Sequence, residues 1–164
     1  MRFWAFCLWA EEYRFPDADP PVVKASVPIS LVGLDKRGKQ HGVQAFSVHP
    51  GRIVTELARH MSAEELQKIG ALDEQGQPVV DLALGLKSPA QGAATSVWAA
   101  TSPALDRFGG VYCEDCDIAA LAPEEDVTAP GSASIAGGVR PWAVDPEAAE
   151  RLWALSERLL GVGI

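Results

Sequence analysis

A chain of 164 residues, 48% hydrophobic and 22% charged, carries enough apolar material for one core of its own. Twenty-two acidic against fourteen basic residues leave a net charge of −8, which excludes a sequence-general nucleic-acid binder. The longest apolar stretch, residues 3–10, is too short to span a bilayer, and three cysteines make an odd set that builds no disulfide scaffold, so a reducing cytoplasm is the expected compartment.

Residues 1–30 read as an irregular segment. An aromatic cluster (Phe3, Trp4, Phe6, Trp9, Tyr13, Phe15) precedes Pro16, Pro20, Pro21 and Pro28, and such spacing is expected to block a long helix. From Leu31 the pattern becomes regular. Leu31, Val32 and Leu34, followed by Lys36, Arg37 and Lys39 and closed by Gly42, read as the last turns of a helix with cations at its negative end. Residues 43–48 then form a short strand with apolar residues on both faces, the pattern of a strand buried in a parallel sheet. His49, Pro50 and Gly51 end it in a turn.

Three further helices are marked by their starts. Ser62 with Glu65 and Ser88 with Gln91 have capping-box spacing, and Pro89 takes the preferred first helical position. Ala93, Ala94, Val97, Trp98 and Thr101 share one face behind Ser88. Asp145 and Pro146 open the last helix, whose inner stripe is expected at Leu152, Trp153, Ser156, Leu159 and Leu160 before Gly161 ends it. Between them, residues 109–113 read as a second strand, and residues 117–144, rich in glycine and proline, as a long irregular excursion. Helices alternating with parallel strands make an α/β arrangement, yet only two strands are visible and two do not make a stable sheet.

The run His49, Pro50, Gly51, Arg52, Ile53, Val54, Thr55 sits where open α/β sheets bind ligands, at the carboxyl edge of a strand. Thr55 suits either a helix cap or a hydrogen bond to a ligand amide or phosphate. Cys113 and Cys116 have metal or redox spacing, but a lone C-x-x-C without a second pair assigns no metal. His41, His49 and His60 have ordinary structural readings at a helix end, after a strand and on a polar face.

Taken together, Gly33 to Gly38, His41 to Gly51, Lys87-Ser88-Pro89-Ala90-Gln91-Gly92-Ala93-Ala94-Thr95, Ser102-Pro103-Ala104-Leu105, Gly109 to Tyr112, Asp115-Cys116 and the final helix recur in an order and spacing that resembles the carboxyl-terminal half of short-chain dehydrogenases/reductases. The likeness is to the retinol-dehydrogenase-like and WW-domain-oxidoreductase-like branch and covers residues 31–161. It implies the C-terminal part of a Rossmann-like doubly wound parallel sheet over residues 31–164, the N-terminal half being missing. Residues 1–30 carry no such resemblance. A whole sheet of that kind takes on the order of 180 residues at roughly 30 per strand–helix unit.

The resemblance further implies NAD- or NADP-dependent hydride transfer at an alcohol or carbonyl carbon of a small molecule. Pro50, Gly51, Ile53 and Thr55 match the positions whose backbone and hydroxyl hold the nicotinamide carboxamide, and residues 56–86 would be the substrate-side lid. Other family parts do not occur in the sequence: the glycine-rich cofactor turn, and the Ser, Tyr-x-x-x-Lys set in which tyrosine moves the proton. In the family's register the lysine position falls on Lys24 and the tyrosine position on Pro20, which has no proton to give; Tyr13 lies too far from Lys24 to replace it. No catalytic residue is therefore assigned. The expectation is a truncated oxidoreductase inactive alone, with no nucleic-acid or membrane partner, pairing with a second copy or with a complementing amino-terminal half. The alternative is a non-catalytic α/β interaction module.

Overall fold

The structure, a computed structural model, describes residues 4–5, 22–122 and 137–162. In chain order it holds β1 (Trp4–Ala5), α1 (Val22–Gly38), β2 (Gln44–His49), α2 (Ala63–Lys68), α3 (Pro89–Thr101), β3 (Val111–Glu114), β4 (Asp117–Ile118) and α4 (Pro146–Leu160), joined by short 3-10 turns. The strands lie side by side in the order β1-β2-β3-β4. β1 and β3 flank β2 in parallel, and β4 returns antiparallel to β3. This is a mixed α/β architecture compatible with part of a doubly wound sheet.

β2 is the centre of the sheet because four consecutive residues, Ala45, Phe46, Ser47 and Val48, are buried. Phe46 and Val48 pack with Ala99, Leu105 and Cys113, and Trp98, Val111 and Ile118 lean on that cluster. On the far side of the sheet α1 and α4 enclose a second cluster, Ile29 and Ala149 with Val32, Ala148 and Leu152. The two helices are also clasped at their surface. Arg37 donates two hydrogen bonds to the Glu150 carboxylate, at 3.0 and 3.1 Å, and lies 4.3 Å above the Trp153 ring.

The helix ends follow the sequence signals. Ser62 and Ser88 cap α2 and α3 in reciprocal capping boxes, with Pro89 in the first turn. Asp145 accepts from the Glu147 and Ala148 amides at the head of α4, and Gly161 ends it in the left-handed region. After α1, Gly42 at φ +72° turns the chain into β2.

Four expectations need correction. First, α1 begins at Val22 and runs through Pro28, so residues 22–30 are helical and not irregular. An interior proline costs a helix about 3 kcal/mol through its lost donor and its ring. Here that cost is offset by burial, since Pro28, Ile29 and Leu31 are all buried. Second, residues 4–5 pair with β2, and β4 extends the sheet beyond two parallel strands. β4 follows a two-residue turn, Asp115 and Cys116 at φ 50° and 60°, in which no glycine marks the bend.

Third, α3 buries Gly92, Thr95 and Ala99, leaving Ala93, Ala94 and Val97 outside. The helix meets its neighbours closely through its small residues, with Trp98 as the one large side chain of α3 that leans on the core. Fourth, α4 turns Ala149, Leu152 and Trp153 inward, but Leu159 and Leu160 are 76% and 73% exposed. The expected excursion at 117–144 is pinned at its base by mutual bonds between Ala120, Ala122 and Val139. Its middle, like residues 6–21 with Phe6, Trp9, Tyr13, Phe15 and Pro20, lies outside the described residues.

Candidate functional site

β2 and β3 end together, with His49 opposite Glu114, and the chain leaves β2 through Pro50 and Gly51. Gly51 has φ +86°, and a side chain there would also collide with Lys87, since a Cβ would lie 2.7 Å from the Lys87 Cδ. The next residue, Arg52, bridges to Leu86. Its amide donates to Gly85 O at 3.0 Å and its carbonyl accepts from the Lys87 amide at 2.9 Å, while its guanidinium donates to Leu84 O. The long segment 53–85 is thus closed at its base by its own backbone.

Ile53 turns its side chain down onto α3. A Cβ on Gly92 would meet Ile53 Cδ1 at 2.1 Å and Pro50 O at 3.3 Å. Thr55 is exposed and caps the 3-10 turn Glu56–His60, its hydroxyl accepting from the Leu57 amide at 3.3 Å. A hydroxyl oxygen occupied as acceptor still has its own proton to donate. Pro50, Gly51, Ile53 and Thr55 thus follow one another along a single turn at the carboxyl edge of the sheet, held from below by Gly92 and from the side by Lys87.

Around that turn lies a group of polar residues that the sequence pattern did not show to be neighbours. The Lys87 side chain is only 9% exposed and its ammonium pairs with Asp115 in the β3–β4 turn. His49 stacks on Tyr112, ring centres 6.5 Å apart and planes 22° apart. Burial lowers the His49 pKa, Lys87 lowers it further, and Asp115 acts in the opposite sense. Burial likewise raises the Tyr112 phenol far above its ordinary value and the Glu114 carboxyl above its own. His49 and Tyr112 thus pack ring against ring where β2 and β3 end. Cys113, buried in β3, has its thiol raised to about 11, mainly by burial. Cys116 is exposed, and its amide donates to Thr95 Oγ1 at 3.2 Å. Among the described residues no three His, Cys, Asp or Glu side chains are grouped to hold a metal ion. No described helix is long and apolar enough to cross a membrane.

Of the four residues Pro50, Gly51, Ile53 and Thr55, Thr55 is exposed and carries a hydroxyl, whereas Pro50 has no amide proton to donate. They do not suit a pyrophosphate, which calls for a glycine-rich turn at a helix N-terminus. Lys24 lies in the first turns of α1, and Pro20, the residue in the family's tyrosine register, lies outside the described residues.

Comparison with known proteins supplies the family. The chain is 39% identical over 128 residues, 78% of its length, to a protein of Streptomyces lividans named "Probable oxidoreductase". It is 37% identical over 129 residues, 79% of its length, to the Penicillium roqueforti protein named "Short-chain dehydrogenase/reductase prx1". To the Danio rerio "WW domain-containing oxidoreductase" it is 32% identical over 127 residues, 77% of its length. The match spans 40%, 34% and 24% of those three proteins, so the chain corresponds to well under half of the curated relatives it matches. No protein-family model matches it. By these relatives the chain is, over about 79% of its length, a homologue of the short-chain dehydrogenases/reductases.

Proposed function

We propose that this chain is the nicotinamide-side part of an NAD- or NADP-dependent oxidoreductase acting on an alcohol or carbonyl, and that it does not turn over alone. The turn at residues 50–55 carries this reading, because it presents main chain and a free hydroxyl proton at the carboxyl edge of the parallel pair β2–β3. A bound nicotinamide supplies the site for hydride gain or loss. Pro50, Gly51, Ile53 and Thr55 hold its carboxamide, Ile53 through its backbone. Residues 56–86 cover the substrate side, and free thiols at Cys113 and Cys116 accord with a reducing cytoplasm.

Proton transfer needs a positioned acid or base, and Pro20 in the tyrosine register is neither. Pyrophosphate binding needs a turn that the sequence does not contain. The purified chain is therefore expected to show no NAD(P)-dependent oxidation or reduction across a panel of primary alcohols, secondary alcohols and aldehydes. NADPH is expected to quench its tryptophan fluorescence with a dissociation constant of about 1 mM or weaker. Turnover that co-purifies with the chain through successive columns overturns the first expectation, and saturable quenching in the micromolar range overturns the second.

A second reading, a non-catalytic interaction module, draws on the exposed Val97 of α3 and Leu159 and Leu160 of α4. It requires that the purified chain fold alone. A sharp urea transition and a defined oligomer would favour it, and an aggregating or molten chain would remove it.

A further inference from the structure

A lysine side chain 9% exposed is unusual, because burying the stem and most of the ammonium needs a structural return. Lys87 makes three contacts with two separate elements. Its backbone amide donates to Arg52 O at 2.9 Å, tying it to the turn after β2. Its stem lies against Gly51, so close that a Cβ there would be 2.7 Å from Cδ and 2.9 Å from Cε. Its ammonium reaches Asp115. That aspartate belongs to a turn with two non-glycine residues in the left-handed region, Asp115 at φ 50° and Cys116 at φ 60°. This is the two-residue turn of the β3–β4 hairpin, where positive φ at both positions matches the twist of the strands, and it is tied to the rest of the chain by the Lys87 ion pair and the bond from the Cys116 amide to Thr95 Oγ1.

From these contacts we infer that Lys87 is a positioning residue: it locks the β3–β4 turn against residues 50–52 and so holds the carboxamide-binding turn in one arrangement. The inference rests on the cofactor reading above for its purpose, while the lock itself is a property of the chain without ligand. Lys87 would not touch the reacting atoms. It acts through Gly51 on one side and Asp115 on the other, and both sides should loosen together when the ammonium is lost.

The test is amide exchange and NADH titration by NMR on the whole chain. Lys87→Met keeps the stem over Gly51 and removes the charge; Asp115→Asn removes the charge from the exposed partner, where refolding is not at stake. Each is expected to speed exchange at the Arg52 and Cys116 amides about tenfold while α1 and α4 amides stay within about twofold of wild type. Lys87→Arg is expected to restore both amides, a rescue that lost stem packing alone would not show. With NADH at millimolar concentration, shifts at residues 51–55 in the wild type are expected to need about tenfold more ligand in Lys87→Met. Unchanged exchange at Arg52 and Cys116, or equal acceleration across all helices, overturns the lock whatever NADH does. A wild-type chain without NADH-induced shifts at residues 51–55 overturns the cofactor reading, and with it the positioning role, even where the exchange result holds.

Discussion

Gly92→Ala is the sharpest perturbation of the candidate site that leaves all its polar groups in place. In an ordinary helix interior the change would stabilise by roughly 0.5–1 kcal/mol, because alanine loses less backbone entropy on folding. In α3 the new Cβ would lie 2.1 Å from Ile53 Cδ1, 3.0 Å from Ile53 Cγ1 and 3.3 Å from Pro50 O. Ile53 is half-buried and able to rotate, but the carbonyl of Pro50 moves only with the turn. Overpacking of one methyl costs about 1–3 kcal/mol. The net expectation is a loss of about 1–2 kcal/mol, read as a lower urea midpoint with unchanged slope. Removing Cδ1 with Ile53→Val should recover part of that loss in the double variant, even though Ile53→Val alone costs about 0.5–1.5 kcal/mol. A Gly92→Ala chain more stable than wild type, or a double variant whose losses simply add, would refute the close approach of α3 to residues 50–53.

Other expectations concern single groups. Ser88→Ala removes the acceptor for the Gln91 amide at 3.3 Å and should cost about 1 kcal/mol in urea unfolding, whereas Ser88→Asp should be close to neutral. His49 has a folded pKa below its unfolded value of about 6.5, so the unfolded chain binds the extra proton and stability through this group falls as pH drops below about 6.5. Glu114 works oppositely at lower pH, since its raised pKa favours the folded state when protonated. His49→Phe, which keeps a ring against Tyr112, should therefore flatten the slope of stability between pH 7.5 and 5.5; an unchanged slope would contradict the burial of a neutral imidazole. In a Cys7→Ser background at pH 8, a disulfide reagent should label exposed Cys116 promptly and Cys113 at least about a hundredfold more slowly, because a thiol at about 11 holds little thiolate there. Equal rates would place Cys113 outside the core.

What the sequence made legible were signals carried by single residues with one physical use. Ser62, Ser88 and Asp145 cap helices because their oxygens meet orphan amides, and Gly42 and Gly161 end them because only glycine enters the left-handed region freely. The buried run in β2 announced itself by being apolar on both faces. The inward faces of α3 and α4 were less legible. Apolar periodicity marks where large residues recur, whereas contact at close range selects Gly92, Thr95, Ala99 and Ala149, residues a hydropathy pattern passes over. α1 was hidden by Pro28, whose cost is local while its compensation comes from the packing of residues distant in sequence. At the site, the turn at residues 50–55 stood out by its Pro-Gly pair. The Lys87–Asp115 pair did not, because its partners are 28 positions apart and no spacing rule connects them.

Titration of the isotope-labelled chain with NADH, followed amide by amide, bears most directly on the claim that residues 50–55 hold a nicotinamide without the rest of a cofactor site. The expected result is weak saturation at millimolar ligand with shifts concentrated at Gly51, Ile53 and Thr55. Shifts elsewhere on the chain with those three amides unmoved, or saturation at micromolar NADH, would contradict it.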